Sequence, residues 1–299
     1  MIQGWIVSER IAGAPISWGV SEVPGWGHQM RCERVLAEMR GLGLAATEAG
    51  PVAFLPDDPG ALRECLAAYE MTLVSGFTPL VLHGEQPTWR RELVSVARRF
   101  AAGGAGLIVL AASTGHEDYD ARPQLTAADW RRFLHALDAA CELAGEQGLE
   151  IALHPHYGTM VETPDEIDRV LDGCSVPLCL DTGHVVLGGG DPVTVAQQAP
   201  ARIAHLHLKD VDGTLAVAVV ERRLAFSDAV GRGVFRPLGQ GDVDVGAVLD
   251  SLRAVGYDGW YVFEQDTRLT GEPDAGFGPR DDVAQSLAFL QSALAGSGP

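Results

Sequence analysis

Short apolar runs, often β-branched or leucine-rich, alternate along this chain with longer stretches in which apolar residues recur every three or four positions. The short runs predict strands and the longer ones amphipathic helices. In order, they pair as "AGAPISW" with "RCERVLAEMRGLG", "LAATEAG" with "DPGALRECLAAYE", "MTLVSGF" with "TWRRELVSVARRFAAGG", and "GLIVLAAS" with "AADWRRFLHALDAACELAGEQG". They continue with "LEIALHPH" and "TPDEIDRVLDG", "VPLCLDTGH" and "DPVTVAQQAP", "RIAHLHLKD" and "DVGAVLDSLRAVG", "WYVFEQD" and "RDDVAQSLAFLQSAL". Apolar strands buried on both faces and separated by helices indicate a parallel sheet, and eight such units in a chain of this size indicate a single (β/α)8 TIM barrel spanning residues 1–299. A doubly wound open sheet is the competing fold. It calls for a glycine-rich phosphate loop after an early strand, and "SWGVSE" is not one. The one irregular region is an insertion at 211–244, long enough to form a lid.

Composition narrows the possible functions. The chain has 299 residues, 46% of them apolar, and a formal net charge of −18 that repels polyanions, so nucleic acid is not an expected partner. No apolar run is long enough for a membrane helix, and the opening "MIQGWIVSER" lacks the features of a secretory leader; a cytoplasmic location is the expectation. The five scattered cysteines form no C-x-x-C pair and read as reduced thiols.

In a barrel of this type the chemistry lies at the C-terminal ends of the strands. Those ends are polar: Glu48 on the second strand, His154 and His156 on the fifth, Asp181 on the sixth, His207 on the seventh and Glu264 on the eighth. Carboxylates and imidazoles converging on one apolar mouth need a counter-charge, which a divalent cation supplies. Mixed nitrogen and oxygen donors suit manganese, cobalt, iron or zinc better than magnesium or calcium. Five of the nine histidines fall between 154 and 207. His205 shares a face with His207 but lies one layer deeper, which assigns it a structural role. Trp18 and Glu48 are expected to line the mouth and hold a polyhydroxylated ring, and Trp26 and Trp260 to be packing residues.

The motifs "APISW", "TEAGP", "HPHYGT", "LDTGH", "AHLHLKD", "GVFRPLGQGDVD" and "YDGWYVFEQD" resemble those of the inosose dehydratase branch of the xylose-isomerase-like sugar isomerase/epimerase superfamily, from about residue 12 to about 266. The resemblance implies a divalent-metal barrel, manganese being the favoured ion, that acts on a small-molecule polyol or sugar; a homo-oligomer is a separate expectation. It implies His154, Asp181, His207 and Glu264 as metal ligands. Isomerases of the superfamily tend to read "EP" where this chain reads "HP" at His154–Pro155, and inosose dehydratases tend to have a third histidine in place of Pro155.

The reaction so implied is the loss of water from an inosose-like keto-polyol such as 2-keto-myo-inositol. It needs a base for the proton α to the carbonyl, an electrophile for the resulting enediolate and an acid for the departing hydroxyl. Glu264, His156, His184 and Glu162 are the candidates for proton transfer. Lys209 either binds substrate and steadies the oxyanion or forms a salt bridge with a neighbouring carboxylate such as Asp210. The alternatives are a metal-dependent isomerase or epimerase of a keto-sugar or sugar acid and a non-catalytic sugar- or metal-binding barrel.

Overall fold

Short strands cannot satisfy their backbone amides alone, and in a computed structural model, which describes residues 10–84, 88–116 and 119–295, they pair into one parallel sheet. Its strands are β1 (Ile11–Gly13), β2 (Ala46–Glu48), β3 (Thr72–Ser75), β4 (Phe77–Leu80), β5 (Leu107–Ala112), β6 (Glu150–Leu153), β7 (Leu178–Asp181), β8 (Ile203–Leu208) and, after a short antiparallel pair β9 (Asp210–Val211) and β10 (Phe235–Arg236), β11 (Tyr261–Phe263). The order across the sheet is β3-β2-β1-β11-β8-β7-β6-β5-β4. Since β3 and β4 are halves of one strand broken at Gly76, the two ends of that order meet and the sheet closes into an eight-staved barrel. Only glycine fits the break: a Cβ there would lie 2.5 Å from Phe100 and 2.8 Å from Ala49.

The helices are α1 (Cys32–Gly41), α2 (Pro59–Ala68), α3 (Trp89–Gly103), α4 (Ala127–Gly145), α5 (Pro164–Gly173), α6 (Thr182–Leu187), α7 (Pro192–Gln198), α8 (Gly213–Val220), α9 (Phe226–Gly231), α10 (Val245–Ala254) and α11 (Pro279–Ala295). Their starts are written in the sequence. Thr126 and Asp129 form a capping box at α4, and proline occupies the first turn of α2, α5 and α7. The buried stripe of α4 (Trp130, Phe133, Leu137, Ala140, Ala144) follows the helical period and packs on the outside of the sheet. Inside the barrel the residues are small, with Ala12, Ala46, Val74 and Val262 in one cluster and Val109, Ala152 and Cys179 in another.

Three local expectations are corrected. The first predicted strand ends at Gly13, because Pro15–Trp18 turn as a 3-10 helix with proline fixing its start. A short helix, α6, starts directly at the end of β7, ahead of the predicted sixth helix. The insertion at 211–244 is not irregular: α8, α9 and the β9–β10 pair order it. No helix among the described residues is long and apolar enough to cross a membrane, and the opening nine residues, read above for a leader, lie outside the described residues. The five cysteines are free thiols.

Candidate metal and substrate site

Strand register brings the polar strand ends together. Asp181 is paired in register with His207, and His207 with Val262, so Glu264, two residues beyond Val262, points to the same face as His207. The resulting distances are 3.3 Å from His154 Nε2 to Asp181 Oδ2, 3.6 Å from His207 Nδ1 to the same oxygen, and 2.7 Å from His207 Nδ1 to Glu264 Oε2. On its other side His207 Nε2 lies 3.0 Å from Glu48 Oε1, which also meets His205 Nε2 at 3.0 Å and accepts from Ser75 Oγ at 2.6 Å. A carboxylate behind an imidazole fixes its tautomer. With Nε2–H given to Glu48, Nδ1 of His207 is left facing Asp181 and Glu264.

The carboxylates are kept ionised in a dry place. Burial alone raises a carboxyl pKa, but Lys209 holds Asp181 well below the carboxylate range, His207 does the same for Glu48, and His207 with Lys209 brings Glu264 down to about 2. In return, against the opposing pull of burial, His207 and Lys209 are raised well above their ordinary values by neighbouring acidic groups, the Cys179 thiol, Glu264 and Glu48 for the first and Asp181, Asp266 and Glu264 for the second. The Lys209 ammonium lies 3.0 Å from Asp181, 2.7 Å from Glu264 and 3.0 Å from Asp266. The suggested partner of Lys209, Asp210, has another role. Its carboxylate accepts four backbone amides, from Val211 (2.9 Å), Gly239 (2.8 Å), Gly241 (2.9 Å) and Val243 (3.0 Å), and so ties the far end of the insertion to the strand carrying His207.

A cavity of about 370 Å³ opens onto this wall. Of the sequence-predicted residues, Glu48, His156 and Glu264 line it, whereas His154, Asp181, His207, Lys209 and His184 stand behind them. His156 donates through Nδ1 to the Tyr157 carbonyl at 2.7 Å, which leaves the Nε2 lone pair free; burial pushes its pKa down to about 3, so the ring is neutral. His184 stacks on it with ring centroids 3.7 Å apart. The glycine of "LDTGH" serves this arrangement, since a Cβ on Gly183 would meet the Lys209 side chain at 2.6 Å.

Two expected site residues are elsewhere. Trp18 is fully buried in the core, its indole N–H given to Glu38 of α1 at 2.8 Å, and does not line the cavity. Glu162 does not line it either; its carboxylate accepts from Gly158 N at 2.7 Å and Arg222 at 2.8 Å and lies 3.5 Å from Arg122. Sequence reasoning also missed residues that do line the cavity: Asp266, Glu22, Phe77, Tyr119 and Phe226, together with Trp26, which had been read as a packing residue. Phe226 comes from the insertion and stacks on Tyr157 at 5.0 Å. Asp266, two residues beyond Glu264 in "FEQD", was recognisable from strand alternation.

Comparison with known proteins agrees with this architecture. Residues 36–293 match the family model described as xylose isomerase-like TIM barrel. The chain is 34% identical over 268 residues to the rhizopine catabolism protein MocC of Rhizobium meliloti, covering 87% of this chain and 82% of that protein. It is also 34% identical over 269 residues to an inosose dehydratase of Geobacillus kaustophilus, covering 85% and 86%. Among solved structures, the IOLI protein with a bound zinc atom superposes with a TM-score of 0.70 at 14% identity, covering 97% of this chain and 99% of that one. From fold, register and sequence together, the chain belongs to the xylose isomerase-like TIM-barrel family.

Proposed function

We propose that this protein is a divalent-metal-dependent dehydratase of an inosose-like keto-polyol, with 2-keto-myo-inositol as the reference substrate. The observation that carries the reading is the convergence of His154, Asp181, His207 and Glu264 behind and along one wall of the cavity, in a chain 34% identical to an inosose dehydratase over most of both lengths. The donor set suits a first-row divalent ion: two imidazole nitrogens and two ionised carboxylates, with His207 Nδ1 turned toward both acids. When bound, such an ion supplies Lewis-acid polarisation of the substrate carbonyl, worth several kcal/mol of transition-state stabilisation.

The chain's own residues do the rest. Glu48 holds the His207 tautomer. Lys209 keeps Asp181, Glu264 and Asp266 together and ionised, acting as a positioning residue because its ammonium is spent on three carboxylates. His156 is the residue proposed to move the proton, since its free Nε2 belongs to a ring that faces the cavity. His184 backs that ring. Trp26, Phe77, Tyr119 and Phe226 give apolar faces on which a polyol ring stacks and which keep bulk water away. Asp181→Ala and Glu264→Ala are expected to lose stoichiometric manganese while remaining folded, as judged by elemental analysis beside circular dichroism. Full metal occupancy in both variants would reject this ligand set.

A further inference from the structure

Glu22 stands at the mouth of the cavity on the turn between β1 and α1, and it is a carboxylate that the proposed metal-binding wall does not account for. It is exposed, yet enough protein surrounds it that desolvation raises its carboxyl pKa, with Glu264 adding to the rise. Its carboxylate meets only its own backbone amide; among the described residues no lysine, arginine or histidine pairs with it. It also lines the neighbouring cavity of about 370 Å³, which shares Phe77 and Tyr119 with the first.

The charges facing the main cavity are one-sided. Glu22, Glu48, Glu92, Glu264 and Asp266 line it, and the only lysine or arginine in its lining is Arg99, which is 3.2 Å from Asp57 and donates to the Leu55 carbonyl at 3.0 Å. Lys209 is behind the wall with all its protons committed. A divalent ion at the wall offsets charge there, but the mouth stays negative. A phosphate or carboxylate group on a ligand would therefore lie beside like charge without a partner, whereas a hydroxyl would find a free acceptor.

We propose that Glu22 is a specificity-determining residue of this cavity, accepting hydrogen bonds from hydroxyl groups on the mouth-facing edge of an uncharged polyol ring and excluding analogues that carry phosphate or carboxylate. The inference rests on the functional reading above and names the substrate class for it.

Calorimetric titration of the manganese-loaded protein with 2-keto-myo-inositol and with inositol 1-phosphate tests it. The wild type is expected to bind the uncharged ketone at least tenfold more tightly. Glu22→Lys is expected to shrink that ratio at least tenfold, and Glu22→Gln to raise KM for the ketone more than it lowers kcat. Because Glu22 makes no hydrogen bond to another residue, both variants should unfold near the wild-type temperature. Equal wild-type affinity for the two ligands, failure to bind the ketone, or an unchanged ratio in Glu22→Lys would overturn the assignment. A wild type that binds the ketone selectively but does not dehydrate it would instead reject the dehydratase reading and leave this one standing.

Discussion

Asp210 and Glu162 show what single residues contribute beyond contact with a ligand. Each carboxylate oxygen of Asp210 accepts two backbone N–H groups, so Asp210→Asn places an NH2 group opposite two N–H donors. Two orphaned donors cost on the order of 2–4 kcal/mol, and denaturant unfolding should show a loss of that size; a change below about 0.5 kcal/mol would mean that the segment 238–243 is held by other contacts. Glu162 carries the opposite kind of charge effect. Burial raises its carboxyl pKa above the ordinary 4.5, and Arg122 and Arg222 only partly offset this. A folded state that binds the proton more tightly than the unfolded state is favoured below the unfolded pKa and loses that advantage as pH rises through the folded one. Stability of Glu162→Gln relative to wild type should therefore improve between pH 4 and pH 7, and a flat difference across that range would contradict the raised value. Neither role was legible in the sequence, because Arg222 lies 60 residues from Glu162 and Gly239–Val243 lie about 30 from Asp210. Trp18 was misread for the same reason: its partner, Glu38, is on a different element.

Among the elements, the ones read correctly are those whose pattern is long enough to carry a period. The 19-residue α4 repeats its apolar stripe over several turns. The helices of the insertion do not: α8, "GTLAVAVV", is apolar nearly throughout and eight residues long, and α9 has six, so neither shows a face. Yet this segment reaches the site. Phe226 packs against Tyr157, His184 and Phe235, and Arg222 bonds Glu162 and the Tyr157 hydroxyl, fastening the segment to the loop after β6. If the wall it provides holds the substrate ring, Phe226→Ala should lower kcat/KM at least tenfold, about 1.4 kcal/mol of transition-state stabilisation, with manganese still bound. Unchanged kinetics in a folded variant would reduce the segment to a packing element.

The whole molecule explains why the polar wall could be read without coordinates. In a closed parallel barrel, every strand end points to one mouth, so residues far apart in sequence meet once the topology is known. That Glu48, His154, His156, Asp181, His207 and Glu264 meet needed only that rule; the lining from connecting loops, Glu22 and Tyr119 among them, needed the coordinates. The charge of −18 is consistent with a cavity that takes an uncharged polyol. On the proposed reading the chemistry begins with removal of the proton α to a ketone, and that step is common to dehydration and epimerisation. The fate of the hydroxyl separates them. Proton NMR of 2-keto-myo-inositol incubated with the manganese-loaded protein in deuterated water follows both outcomes at once. The account predicts a new cyclic diketone in which one hydroxyl-bearing carbon has become a second carbonyl and its neighbour a ring methylene. Recovered or epimerised ketone with deuterium at the α carbon and every hydroxyl-bearing carbon intact would contradict it.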